Sequence, residues 1–227
     1  MDCENTHVNK KEEFCPARNS GVIFFYMNKQ KQILIFLLPT TSIVLLIFFF
    51  PHLSTHLQYD RTALAQGEWW RLFTAHFTHW TGNHLLWDLI MFLVLATAGF
   101  IISAKRTLSV IFISALFIPL AILVWNPEMI YYRGLSGIDS ALYLFMLLEL
   151  IKRQPAKTSS TALSLWIMIF IFVAKTIYEF TTSNTLFAQS MGANISSVPL
   201  AHLVGGLVGV CAILLFGRMK NSQAISM

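Results

Sequence analysis

Sixteen residues, Ser136 to Ile151, make up the apolar run that ends at Lys152-Arg153, and they are too few for an ordinary membrane crossing. At about 1.5 Å per residue such a helix spans roughly 24 Å, short of the roughly 30 Å hydrocarbon core of a bilayer. If its basic end lies at one interface, its first residue starts below the opposite surface. The loop before it, opening at Tyr131, must then dip into the bilayer. Irregular backbone at that depth is tolerated only where it is buried in protein or lines a water-filled cavity. The stretch reads YYRGLSGIDSALYLFMLLEL, with Ser136 next to Gly137 and two residues after Gly134. A serine at the mouth of such a helix, wetted from one side, stands where a nucleophile would.

The rest of the chain agrees with a membrane setting. Of 227 residues, 56% are hydrophobic and 12% charged, and the mean hydropathy is +0.62. A soluble domain would carry about twice that charge. The composition describes an all-α, polytopic membrane protein of one domain, with no internal repeat. Six spans are expected, at about 32–50, 84–103, 107–125, 136–151, 161–180 and 198–217. Twelve of the 16 Lys and Arg precede span one, join spans two to three and four to five, or follow span six. Arg61, Arg71 and Arg133 fall on the other side, and Lys175 within span five. By the positive-inside rule both termini are cytoplasmic.

That topology divides the chain into a cytoplasmic tail (1–31), a six-helix core (32–217) and a C-terminal cytoplasmic tail (218–227). Two readings fit residues 1–26: a dispensable over-extended start before Met27, or a disordered tail. The net charge of +5 is parcelled out between apolar runs, so no nucleic-acid partner is expected. Cys3, Cys15 and Cys211 are too scattered for a disulfide framework. Between spans one and two, Pro51 to Asn83 holds Trp69, Trp70 and Trp80, residues typical of a membrane-interface belt.

The same topology puts His84, Ser136 and His202 at the non-cytoplasmic ends of spans two, four and six. Span six opens SSVPLAHLVGGLVG, in which Ser197 can cap, Pro199 suits a first turn and Gly205 with Gly209 makes a GxxxG face. Small residues on span four (Ser136, Gly137, Ser140, Ala141) are its natural partners, since small faces let helices approach closely. A tight contact between these spans brings Ser136 and His202 within hydrogen-bond reach, and a histidine base activates a serine. The start of span four also aims free N–H groups and a positive dipole end at the same place, which favours an oxyanion. Taken singly, each of these features is ordinary helix punctuation or packing; their coincidence at one depth favours chemistry. His76, His79, His84 and Asp88 lack the HExxH spacing and have no cysteine nearby, so no metal and no cofactor is expected. His76 and His79 are expected to hydrogen-bond within their loop.

GLSG at 134–137, AHLVGGLVG at 201–209 and WRLFTAHFTHWTGNHLLWD at 70–88 together resemble the rhomboid family of intramembrane serine proteases. The resemblance covers about 45–217 and implies a six-helix bundle with a Ser–His dyad and no catalytic aspartate. It implies Ser136 as nucleophile, His202 as general base, and His84 with the Ser136 N–H as oxyanion stabilisers, in a site framed by Gly134 and Gly137. Two positions depart from the common pattern. Asp88 stands where the family usually has Asn, and an ionised carboxylate cannot donate to an oxyanion. It must be protonated by burial, act as an acceptor that orients His84 or another donor, or be neutralised by a cation. Asp139 lies one turn past the serine. Lys175 either balances Asp88 or Asp139, leaving Glu179 to face substrate, or pairs with Glu179 as structural glue.

The compact core and the late KTIYEF look most like the rhombosortase subgroup. That likeness implies an inner-membrane enzyme whose site faces the extracytoplasmic side. Its partners would be the bilayer and a membrane-anchored protein, from which a C-terminal anchor is removed. Two rivals come from other classes. One is a catalytically inactive rhomboid-like binding protein, favoured by Asp88. The other is a small transporter using Asp88, Asp139, Glu149, Lys175 and Glu179 as pathway charges, against which stand the clustering at one end and the missing repeat.

Overall fold

A computed structural model describes residues 28–156, 159–182 and 198–225, with side chains in the last helix as far as Phe216. The tail 1–26, Lys157, the expected cap Ser197 and the side chains of Arg218 and Lys220 lie outside the described residues. Helix α1 (Lys29–Phe49) begins where the Asn28 side chain accepts from the Lys31 N–H, a capping bond that satisfies one of the end donors. Short pieces follow: α2 (Pro51–Leu57), β1 (Tyr59–Asp60), α3 (Arg61–Ala65), α4 (Arg71–Thr74) and a 3-10 turn (Ala75–Phe77). Then come α5 (Gly82–Trp125), β2 (Tyr131–Tyr132), α6 (Ser136–Lys152), α7 (Ser160–Thr182) and α8 (Pro199–Ile225).

Four of these helices are long and apolar enough to cross a membrane: Lys29–Phe49, Gly82–Trp125, Ser160–Thr182 and, within α8, Pro199–Phe216. With 44 residues, α5 is two helical legs joined at a kink, each about 30 Å long at 1.5 Å per residue, one hydrocarbon core apiece. Its regular geometry is broken at one residue, Ser103, whose φ of −166° and ψ of 103° are extended. Where the sequence suggests a connection at Lys105-Arg106, the chain therefore keeps its helix, and a single residue makes the bend. The legs meet closely there: a β-carbon on Gly99 would come within 2.6 Å of Thr107 Oγ1.

The short helix α6 lies at the centre. Ala141, Leu142 and Phe145 are fully buried, and buried positions occur all round the helix, as expected of an element apolar on every side. It packs most extensively on α8 and next on α5. A β-carbon on Gly205 would fall onto the carbonyl of Gly137, and one on Gly209 onto the carbonyl of Ala141. The GxxxG face of α8 and the small face of α6 thus meet backbone to backbone. Helix α1 covers α5, with the Phe36 ring 5.2 Å from that of Phe100. Helix α7 is the most peripheral, burying only Ala162, Leu165, Thr176 and Glu179. Large apolar side chains such as Val94, Phe112 and Phe170 point outward, a surface that suits lipid and would be a liability in water.

Between α1 and α5 the chain is held by polar bonds. Arg61 donates to the carbonyls of Ile122, Leu123, Asn126 and Met129 at 2.9–3.2 Å. It satisfies the end of α5, where the last carbonyls lack helical partners. Strands β1 and β2 pair antiparallel, Tyr59 with Tyr132 and Asp60 with Tyr131. The buried Arg71 binds Glu68 at 2.6 Å and the carbonyls of Thr55 and Gln58. Trp69 and Trp70 remain exposed.

Substituting Gly205→Leu should force α6 and α8 apart. Overpacking of this kind costs about 3 kcal/mol, a fall of about 6–12 °C in melting temperature for a chain of this size. Leu203→Ala, on the exposed side of the same helix, should leave the thermal transition in detergent near its original position.

Candidate active site

The loop that delivers Ser136 is fixed by its own backbone demands. Gly134 has φ of +121°, a conformation that side chains with a β-carbon rarely adopt. A β-carbon there would also come within 2.8 Å of His84 Nε2 and 3.0 Å of Asp88 Oδ2. The next peptide is gripped: the Leu135 N–H donates to Asp88 Oδ2 at 2.9 Å, while the Gly134 N–H donates to the Ala75 carbonyl. No side chain caps α6, so its first-turn N–H groups stay uncommitted to a cap beside Ser136. Gly137 closes the loop from the other side, where a β-carbon would meet Ile118 Cδ1 at 2.7 Å and the Ala201 carbonyl at 3.1 Å.

Asp88 is buried on the first leg of α5. Its Oδ2 faces the Leu135 N–H, His84 Nε2 at 3.2 Å and His79 Nε2 at 3.3 Å. Accepting from the Leu135 N–H, this oxygen takes the second of the roles open to Asp88 in the sequence. The two imidazoles meet edge to face, with ring centres 5.1 Å apart. His84 Nδ1 is buried without a hydrogen-bond partner, and so is Asp139 Oδ1, in the first turn of α6. Acidic side chains suit that position, near the positive end of the helix dipole.

His76 braces the loop from behind. Its Nδ1 lies 3.2 Å from the Gly134 carbonyl and its Nε2 3.0 Å from the Ala115 carbonyl, so one imidazole ties the loop to α5. Burial pushes His76 below the usual histidine range, although both carbonyls favour its protonation. Burial likewise lowers His79, opposed by the neighbouring Asp88. The expected bonds of His76 thus run to other elements rather than within its own loop. Among the described residues, no three His, Cys, Asp or Glu side chains are grouped to hold a metal ion.

His202 stands in the first turn of α8, next to Ala201, which touches Gly137. Ser136 and His202 are therefore immediate chain neighbours of the pair at the α6–α8 contact. No hydrogen bond joins Ser136 Oγ to His202. Instead, His202 Nδ1 lies 2.8 Å from Glu179 Oε2 on α7. The other oxygen of Glu179 takes Lys175 Nζ at 2.7 Å, and that Nζ is 3.5 Å from His202 Nδ1.

Of the two readings open for Lys175, the structure has the pairing with Glu179. Lys175 does not balance Asp88 or Asp139: it is one helical turn from Glu179 on the same helix and pairs with it, while Asp88 already has its nitrogens. Nor does Glu179 face outward to a substrate, being 1% exposed and held on both oxygens. The Glu179–His202 contact was open to inference, because both residues sit near the same ends of neighbouring spans. The tethering of the loop through Tyr59 and Tyr132 had no local signal.

An all-helical bundle with apolar, lipid-suited faces and a cluster of serine, histidines and carboxylates at one set of helix ends is a multi-pass membrane protein with a built polar site. The rhomboid domain model matches residues 66–219, most of the chain. The protein belongs to the rhomboid family, which includes intramembrane serine proteases. Comparison with the curated proteins gives no match.

The depressed His76 carries a pH signature. Below the unfolded value of about 6.5 the unfolded chain takes up a proton that the folded chain resists, so stability is present above that pH and is lost as pH falls towards the folded value. The melting temperature in detergent should fall between pH 7.5 and 5.5, and fall less in His76→Gln.

Proposed function

We propose that the protein is a serine endopeptidase that cleaves membrane-anchored proteins through an acyl-enzyme intermediate. The observation that supports this reading is the backbone contact of α6 with α8, where Gly137 and Ala201, the chain neighbours of Ser136 and His202, meet. Ser136 Oγ attacks the scissile carbonyl and forms the C–O bond, while His202 Nε2 takes the hydroxyl proton. The Ser136 N–H and neighbouring first-turn donors receive the developing oxyanion. His84 assists from beside Gly134, in an orientation set by Asp88. Collapse breaks the C–N bond, and the leaving amine takes the proton from His202. Water, deprotonated by the same imidazole, then releases the acyl group and restores the serine.

In this reading the chain crosses the membrane six times. The two legs of α5 count separately, and α6 spans with its mouth submerged. Charge distribution puts both termini in the cytoplasm and the site towards the extracytoplasmic face of an inner membrane. The substrates, by likeness to rhombosortases, are proteins with a C-terminal anchor of small residues, an apolar helix and a basic tail.

A binding protein without activity is the second reading, and the lack of a Ser136–His202 hydrogen bond favours it. Catalytic bonds are often loose before substrate arrives, so the distance alone does not decide. The transporter reading is weakened by Glu149, which pairs with Arg106 at 2.6 Å near the opposite end of α6 from Ser136.

A fluorophosphonate probe applied to the protein in liposomes should modify it stoichiometrically at Ser136. Ser136→Ala should abolish the modification and His202→Ala should slow it by at least about 10³-fold, as removal of either triad member does elsewhere. A wild-type chain that stays unmodified while folded would establish the binding protein.

A further inference from the structure

We propose that Glu179 is the third member of the site, a positioning residue that fixes the tautomer and direction of the His202 ring. The inference deepens the hydrolase reading and rests on it. A serine and histidine alone leave the imidazole free to carry its proton on either nitrogen. Here the Nδ1 edge is occupied: Glu179 Oε2 lies 2.8 Å away, a charge-assisted hydrogen-bond distance. A carboxylate only accepts, so Nδ1 carries the hydrogen and Nε2 keeps its lone pair. That is the form a general base requires. As His202 takes the serine proton, the imidazolium forms against a carboxylate already in place.

Three features make Glu179 fit this role better than that of a surface ion pair. It is 1% exposed, the most buried polar residue on the otherwise peripheral α7. Its second oxygen is held by Lys175 at 2.7 Å, which keeps the carboxylate from turning away. The link also crosses from α7 to α8, whereas an ion pair serving only α7 would need nothing beyond its own i, i+4 partner. Lys175, Thr176, Tyr178 and Glu179 are the polar side chains on this part of α7. From α5 and α6, Asp88 accepts from the Leu135 N–H, and Asp139 lies in the first turn of α6 with no contact to His202. Glu179 is thus the only carboxylate in contact with the His202 ring among the described residues.

The test compares fluorophosphonate labelling of Ser136 in the full chain in liposomes, with inactivation rate and probe affinity measured separately. Glu179→Gln keeps the size of the side chain, but its amide can donate to Nδ1 and hold the wrong tautomer. The limiting rate should fall by about 10³–10⁴-fold, the order seen when an orienting carboxylate becomes an amide in a triad. Probe affinity should not change, and Glu179→Asp should recover part of the rate. The Lys175→Met/Glu179→Gln double variant removes the pair without orphaning a charge, and it should stay slow. Full recovery in that double variant, or a single Glu179→Gln within about threefold of wild type, overturns the proposal. The nitrogen NMR signals of ¹⁵N-histidine provide a readout that needs no activity. They should place the His202 proton on Nδ1 in the wild type and shift it in Glu179→Gln. If the wild type is never labelled, the hydrolase reading fails, and the tautomer measurement still decides whether Glu179 orients the ring.

Discussion

The site depends on the contact between two backbones. At Gly137 against Gly205, and Ala141 against Gly209, α6 and α8 come so close that a single added carbon on the α8 side has no space. In lipid, apolar side chains gain nothing by leaving the solvent, so such pairs are held by close packing and polar contacts. Small residues are therefore what permits the approach. The same contact lets a helix too short to span the bilayer sit in the middle of the bundle. In the proposed six-span arrangement the mouth of that helix is lined by protein, as unpaired backbone within a bilayer requires.

Around that contact a second layer of polar bonds sets the angle of the loop. Asp88 holds the Leu135 N–H, His76 bridges the Gly134 and Ala115 carbonyls, and the β1–β2 pair ties Tyr132 to Tyr59. Each of these reaches the four residues before Ser136 from a different part of the chain. The carboxylate at position 88, at first sight a poor substitute for an amide, works here as an acceptor. It fixes the Leu135 peptide, which directly precedes Ser136.

Much of this was legible in the sequence, and the reasons are physical. Helix positions follow from apolar run length, so 161–180 and 136–151 lie within one or two residues of Ser160–Thr182 and Ser136–Lys152. The α6–α8 contact followed from Gly205, Gly209 and the small residues after Ser136, because few other arrangements use such a pattern. Lys105 and Arg106 misled, since charges between apolar runs usually mark a loop; here they continue a helix whose bend falls two residues earlier, at Ser103. Lys175 was ambiguous because its two candidate partners differ in distance only once the bundle is assembled. The partnership of Tyr59 and Tyr132 joins segments far apart in sequence, and no local pattern announces it. For α8, hydropathy ends at about the span, whereas the helix itself runs on to Ile225.

The bend at Ser103 leaves the hairpin of α5 no slack. Both legs are helical right up to one extended residue, and Gly99 already touches Thr107. Every residue gained or lost there would rotate one leg against the other by about 100°. His84 and Asp88 would swing away from Leu135, while Ala115 would leave His76. Length at this corner is thus set by the angular phase of groups 12 to 19 residues away, so a change that hydropathy alone would tolerate is coupled directly to the geometry around Ser136.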